Sequence, residues 1–245
     1  MPRFFVDRSQ IGDNFIFILG DDARHIARSL RMAVGDEITI CDGEGGEYRS
    51  SLIRIRDERC DCEIMEKKIS IREPKSKISL FMAYPKSDKL ETVIQKAVEL
   101  GASRIIPFES SRCVKKPKAE KAAERTLRLV RIAEEAAKQC GRSILPEVSL
   151  PLSYTEALKL AAECELGIFC YEGEGTLSLK QILDDESAPP KTISVVVGCE
   201  GGFSPAEAAM AKDAGLLLAN LGPRILRCET APDYCLSAIS YRFEL

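Results

Sequence analysis

Two tracts combine glycine with charged residues in a spacing that could hold a ligand. In the first, Val195-Val196-Val197 runs into Gly198-Cys199-Glu200-Gly201-Gly202-Phe203, and Ser204-Pro205 then opens a helix with a capping residue and a first-turn proline. Glycines permit positive φ and close backbone approach, so the amides of this turn could cradle a ligand. The G-x-x-G-G spacing matches neither a dinucleotide fingerprint nor a phosphate loop with its Lys and Ser/Thr, and it reads equally well as a plain tight turn. The second tract is Leu221-Gly222-Pro223-Arg224-Ile225-Leu226-Arg227-Cys228-Glu229-Thr230-Ala231. It follows a strand pattern, leads into a helix, and sets two arginines and a glutamate beside a glycine turn; a structural Arg–Glu pair is the alternative reading. Two glycine turns at the ends of two buried strands favour a shared pocket. Cys199 and Cys228 flank it and serve a nucleophilic mechanism only if activated as thiolates; inert buried thiols are the other reading.

The elements that must position these tracts alternate. After residue 73, strand patterns at 78–83, 103–107, 166–171, 192–197 and 215–221 are separated by helical patterns at 88–100, 119–140, 154–164, 177–183, 205–214 and 230–243. Such alternation predicts an α/β domain with a mostly parallel sheet, and ligands of such sheets bind beyond the carboxyl ends of the strands. The first 73 residues read differently, as short strands at 3–6, 15–19, 37–41, 48–55 and 60–71 around one helix, 21–31, whose apolar face is Ala23, Ile26, Ala27 and Leu30. The polar stretch around Pro74 separates two domains, 1–73 and 74–245.

The net charge of −3 conceals a local excess. Residues 1–73 hold 12 Lys/Arg against 15 Asp/Glu, whereas 111–143, which include Arg112 and Arg142, hold ten against four and are therefore +6. That segment suits an RNA backbone. Arg24, Arg28 and Arg31 share a face of the first helix, with Arg3 and Arg8 nearby in sequence, and suit phosphates; a solvated surface face is the plainer reading. His25, the only histidine, reads as a packing or RNA-contact residue. In the 86–101 segment Leu90, Ile94, Ala97 and Val98 belong to a core, while Lys86, Lys89 and Gln95 could reach substrate. Ten cysteines without an export pattern point to reduced thiols and a cytoplasmic protein. The Cys60-x-Cys62 spacing is too short for a zinc knuckle, so no metal is expected. No apolar run is long enough for a membrane span.

With these residues in view, the chain resembles the ribosomal RNA small-subunit methyltransferase E family. The resemblance rests on GCEGGF (198–203) and LGPRILRCETA (221–231), supported in order by MPRFFV (1–6), HIARSLRMAVGD (25–36), KSDKLETVIQKAVELG (86–101), SRCVK (111–115) and EEAAKQCGR (134–142). It implies a small N-terminal PUA-like β-barrel that binds RNA and a C-terminal α/β domain of the SPOUT superfamily with a trefoil knot. It further implies a homodimer, S-adenosylmethionine as cofactor, and methylation of N3 of a uridine in 16S ribosomal RNA of the small subunit. By motif match the cofactor residues are Cys170, Tyr171, Glu172, Gly198, Glu200, Gly201, Gly202, Leu221, Gly222, Ile225 and Leu226. The chain departs from the family at Cys199, where proline is usual, and at Pro232 and Asp233, which replace small apolar residues.

Methyl transfer to a uracil N3 requires alignment and loss of a proton, which leaves negative charge on the ring oxygens. Arg227 is the candidate to stabilise that charge, with Glu229 orienting it and Glu200 as an alternative polar group. Arginine remains protonated, so the general base is left unassigned. The competing readings are a non-catalytic ribosomal RNA-binding or assembly factor with a vestigial cofactor pocket, and an oxidoreductase, which lacks its dinucleotide fingerprint.

Overall fold

The structure is a computed structural model that describes residues 1–86, 88–114 and 119–245, with the backbone alone at 119 and 120. Ser87, Lys115, Lys116 and Lys118, named above within the 86–101 and basic segments, lie outside the described residues. The chain forms two compact units, Met1–Glu73 with Ala137–Leu145, and Pro74–Ala136 with Pro146–Leu245.

The first unit contains strands β1 (Arg3–Phe5), β2 (Phe15–Leu19), β3 (Glu37–Cys41), β4 (Gly46–Arg56) and β5 (Arg59–Ile69) in the order β1-β3-β4-β5-β2, with β1–β3 parallel and the other pairs antiparallel. Phe4, Ile16, Ile18, Ile38, Ile40, Tyr48, Leu52, Cys60 and Cys62 form one core, so all five strands wrap the same apolar interior. Ile16 and Ile18 point inward while Phe15 and Leu19 are exposed, the two-residue period of a half-buried strand. Cys60 and Cys62 follow the same period, and burial pushes the Cys62 thiol up to about 12.

The helix expected at 21–31 is shorter and changes pitch. Helix α1 (Gly20–Arg24) passes into a wider π turn, His25–Ser29, in which the Leu30 amide donates to the His25 carbonyl at 2.9 Å. One extra residue in a turn advances every later side chain by about 100°. Ala23 and Ile26 therefore remain fully buried, whereas Leu30 is 40% exposed and leaves the predicted apolar face. Arg31 then takes a positive φ of 51°, and Met32 packs against the core.

Arg3 and Arg142, expected on the RNA surface, belong to the interior of this unit. Glu47, almost wholly buried, accepts hydrogen bonds from Arg3 Nη1 (3.0 Å) and Ser143 Oγ (2.7 Å). Arg142, 4% exposed, is bound by Glu73, which also accepts from the amides of Ser143 and Ile144. A buried carboxylate is costly unless paired, and these arginines are committed to that pairing. Burial alone would raise the Glu47 acid, but the hydrogen bonds from Ser143 and Arg3 and the Arg3 charge outweigh it and hold it at about 2, below its ordinary 4.5. Its stabilising contribution is thus fully present above pH 4.5 and lost as the pH falls toward 2, and the shift corresponds to about 3 kcal/mol. We expect Glu47→Gln to lower stability to urea at pH 7 by a similar amount, with the gap to wild type closing by pH 2. A gap independent of pH, measured by circular dichroism, would show that Glu47 is not the acid-labile contact.

The second unit is an α/β layer structure. Its strands are β6 (Lys77–Ala83), β7 (Ala102–Glu109), β8 (Glu147–Val148), β9 (Leu152–Ser153), β10 (Leu166–Cys170), β11 (Leu177–Ser178), β12 (Thr192–Val197) and β13 (Leu217–Asn220). They run β11-β13-β10-β12-β6-β7-β8, with β9 also beside β7, and every pairing is parallel. The helices are α2 (Lys89–Glu99), α3 (Ala119–Cys140), α4 (Tyr154–Ala162), α5 (Leu179–Asp184), α6 (Pro205–Asp213) and α7 (Thr230–Phe243). β12 is buried along almost its whole length, as a parallel strand covered on both faces must be, and the buried Ser194 hydroxyl is satisfied by the Ala161 carbonyl at 2.8 Å. Leu90, Ile94, Ala97 and Val98 are the buried stripe of α2, together with Val93. The sheet order places the carboxyl ends of β10, β12 and β13 side by side, and both glycine tracts begin there.

Candidate active site

A cavity of about 830 Å³ opens at those strand ends. The first wall is the turn after β12. A Cβ on Gly198 would lie 3.0 Å from Gly202 Cα, and Gly202 has a φ of 62° while its amide closes the turn on the Cys199 carbonyl at 2.9 Å. Ser204 caps α6 reciprocally with Glu207, and Pro205 occupies the first turn. Glu207 is the anchor that sequence reading missed, although the S-P-x-E pattern signalled its capping role. Buried itself, it accepts from the Ser204 amide (2.8 Å), the Ser111 amide (2.8 Å) and the Ser111 hydroxyl (2.9 Å). These bonds outweigh burial and lower its pKa, so a charged carboxylate ties the 110–112 loop to the start of α6. Arg112 then donates to the Gly201 carbonyl at 2.8 Å, which puts it on the cavity wall. Phe203 packs on Phe169, ring centroids 4.2 Å apart, beneath the turn.

The second wall follows β13. Gly222 has a φ of 102°, and the Arg227 carbonyl accepts from the amides of Thr230 and Ala231, which starts α7. The third follows β10, where the Cys170 and Cys235 sulfurs are 3.5 Å apart and the Tyr171 amide donates to the Ala219 carbonyl. All eleven residues expected to touch the cofactor line this one cavity, as do Arg227 and Glu229.

The partner of Glu229 is not the one the sequence suggested. Its carboxylate accepts from Lys89 Nζ at 3.0 Å and from the Cys228 thiol at 3.2 Å. Lys89 also reaches Glu200 Oε1 at 3.3 Å, and the Lys86 amide donates to the same carboxylate. Burial opposes charge on both acids, but these contacts lower the pKa of Glu200 and of Glu229. Arg227 is exposed and its guanidinium makes no hydrogen bond or ion pair among the described residues. It is a short reach from an acid in sequence, yet that acid faces the helix α2 cation instead. Of the two thiols weighed as nucleophiles, Cys228 is pushed up to about 12 by burial and by Glu229. Cys199 is held below its ordinary value by a hydrogen bond from Cys113, against burial, while Cys113 is raised.

The remaining residues of the expected RNA surface fall in both units. Arg8 pairs with Glu44 (2.7 Å), Arg24 with Asp21 and Glu58, and Arg28 with Asp57; all four acids are more than half exposed, and such pairs exchange readily for phosphates. His25 and Lys86 are exposed. Arg31, past the π turn, is exposed but no longer in register with Arg24 and Arg28. On α3, Arg125 lies over the Tyr84 ring and Arg128 pairs with Glu91, leaving Lys121 and Arg131 as exposed cations. Pro232 is buried in the first turn of α7 and Asp233 pairs with Lys96 at 2.9 Å, so both departures from the family pattern are built into the fold.

The similarity to known proteins agrees with this geometry. A family model described as an RNA methyltransferase domain matches residues 72–240, and an RNA methyltransferase PUA domain matches 18–65. The chain is 35% identical over its whole length, and 98% of the relative's, to ribosomal RNA small subunit methyltransferase E of Bacillus subtilis (strain 168). The solved structure of a ribosomal RNA small subunit methyltransferase E from Neisseria gonorrhoeae, bound to S-adenosyl methionine, superposes with a TM-score of 0.86 at 29% identity, covering 99% of this chain and 98% of that one. A Legionella pneumophila protein holding the same cofactor also gives 0.86, at 28% identity over 98% of this chain and 96% of its own. Among the described residues no helix is long and apolar enough to cross a membrane. The α/β unit with its two glycine-walled loops and the five-stranded unit before it therefore have one assignment: the chain belongs to the ribosomal RNA small-subunit methyltransferase E family.

Proposed function

We propose that this chain transfers the methyl group of S-adenosylmethionine to N3 of a uridine in the 16S ribosomal RNA of the small subunit. The observation that carries the reading is the single cavity in which the loops after β10, β12 and β13 meet. Its lining fits the cofactor chemically. Gly202 and Gly222 have positive φ, and a Cβ on either would meet nothing within 4 Å, so bare backbone borders open space. Val197, Leu221 and Leu226 offer apolar surface for a purine, and Glu172, Glu200 and Glu229 offer charge for a cation. When bound, the cofactor supplies an electrophilic methyl group on a sulfonium.

The protein's own part is alignment and charge. Arg227 keeps its guanidinium free at the cavity edge, where it can oppose the negative charge that a uracil gains on losing its N3 proton. Glu229 and Glu200, both lowered, stay charged and hold the wall rather than the nucleophile. We assign RNA binding to the 1–73 domain through Arg8, Arg24, His25, Arg28 and Arg31, with Lys86 and Arg112 contributing from the second unit, and methyl transfer to 74–245. Homodimeric action in the cytoplasm and a trefoil knot complete the proposal. Insertion of β12 between β6 and β10, and of β13 between β10 and β11, supports the knot.

Calorimetry with S-adenosylmethionine, followed by labelled-methyl transfer to unmodified small subunits, tests the reading. We expect cofactor binding and label in N3-methyluridine. Binding of RNA without cofactor affinity would instead establish a non-catalytic assembly factor, and label at uracil C5 would point to the Cys199 thiol.

A further inference from the structure

We propose that Lys89 is a positioning residue of the cavity: its ammonium group grips the carboxylates of Glu200 and Glu229 and thereby holds the two glycine-turn walls at a fixed separation. Lys89 Nζ lies 3.3 Å from Glu200 Oε1 and 3.0 Å from Glu229 Oε2. Glu200 sits inside the Gly198–Gly202 turn, and Glu229 closes the 221–229 tract at the start of α7, so a single nitrogen joins segments that are far apart in sequence. The Lys89, Glu200 and Glu229 side chains are 34%, 28% and 24% exposed, where water screens charge only in part.

The support on which Lys89 stands is rigid. It is the first residue of α2, whose Leu90, Val93, Ile94, Ala97 and Val98 are buried. Two further contacts reach the same walls: the Lys86 amide, which precedes α2, donates to Glu200 at 3.0 Å, and Lys96 of α2 pairs with Asp233 in the first turn of α7 at 2.9 Å. Two carboxylates held within 3.3 Å of one cation repel each other when that cation is removed, which raises the pH at which one of them takes a proton. The other ionisable groups facing this cluster are the Cys228 thiol, which donates to Glu229 at 3.2 Å, the Lys96–Asp233 pair, and the Cys199 thiol beside Glu200, which is held at about 6, below its ordinary value, chiefly by a hydrogen bond from Cys113. Burial and Glu229 keep Cys228 a thiol across the titrated range, and Cys199 is common to the wild type and every variant, so a pH-dependent difference that Glu229→Gln removes reports the Glu200–Glu229 pair.

This inference rests on the cavity being the cofactor site, and the test separates the two. The probe is S-adenosylhomocysteine, which has no sulfonium charge to compensate the carboxylates, titrated calorimetrically into the full chain from pH 5.5 to 8.5. Failure of the wild type to bind either S-adenosylmethionine or this probe overturns the site itself. Given wild-type binding that varies little with pH, Lys89→Met should bind the probe on the order of tenfold more weakly at pH 8 and recover as the pH falls. Lys89→Arg should stay close to wild type, and adding Glu229→Gln to Lys89→Met should restore affinity across the range, because the repulsion is gone. Should Lys89→Met fail to fold, the added Glu229→Gln must restore folding. Equal weakening at every pH, or no rescue by Glu229→Gln, overturns the positioning role.

Discussion

Arg227→Ala should lower methyl transfer by about 10²–10³-fold while cofactor affinity stays within a few-fold of wild type, the loss typical of removing one donor aimed at developing charge. The structure separates the two quantities. The guanidinium is exposed and engages nothing among the described residues, so its removal leaves no buried acid unpaired. What Arg227 contributes to the fold is its carbonyl, which accepts the Thr230 and Ala231 amides, and alanine keeps that carbonyl. Glu229 is likewise undisturbed because it is held by Lys89. Single-turnover transfer and calorimetry on the same preparation decide the matter. Parallel loss of affinity and rate would make Arg227 a cofactor ligand.

Gly198→Ala should produce the opposite division, with cofactor affinity falling at least about a hundredfold while the fold survives. The added Cβ would lie 3.0 Å from Gly202 Cα and 3.1 Å from Gly202 C, and backbone atoms cannot rotate away as a flexible side chain would. The turn must open, moving Glu200 and the amides beside it. Gly222→Ala is the informative comparison. Its Cβ meets nothing within 4 Å, but the residue has a φ of 102°, so the cost is local strain of about 1–3 kcal/mol rather than collision. Affinity should therefore fall less at 222 than at 198. An unaffected Gly198→Ala would mean that this turn does not form the cofactor wall.

The difference between what the residues announce and what they conceal follows from range. Caps and turns are local chemistry, so Ser204-Pro205, the Gly198–Gly202 turn and the bounds of α3 and α7 were readable directly. Strands β8, β9 and β11 are two residues long and carry no period to detect. The π turn at His25–Ser29 breaks a helical pattern that looks continuous in sequence, which is why Leu30 was assigned inward. The buried commitments of Arg3 and Arg142 depend on Glu47 and Glu73, and the Lys89–Glu229 contact spans 140 residues. Charge pattern alone shows that cations are present; only the fold shows which are already used. The same limit applies to Glu229, for which the nearest arginine in sequence was a poor guide to its partner in space.

Mapping methylated bases by mass spectrometry in small-subunit RNA from cells deleted for this chain, and from the same cells restored with wild type or Arg227→Ala, decides whether this chain methylates a uridine N3. One uridine of 16S ribosomal RNA should lose its N3-methyl group on deletion, regain it with wild type, and not regain it with Arg227→Ala. Full N3 methylation in the deleted cells, or a change confined to another base position, would contradict that expectation.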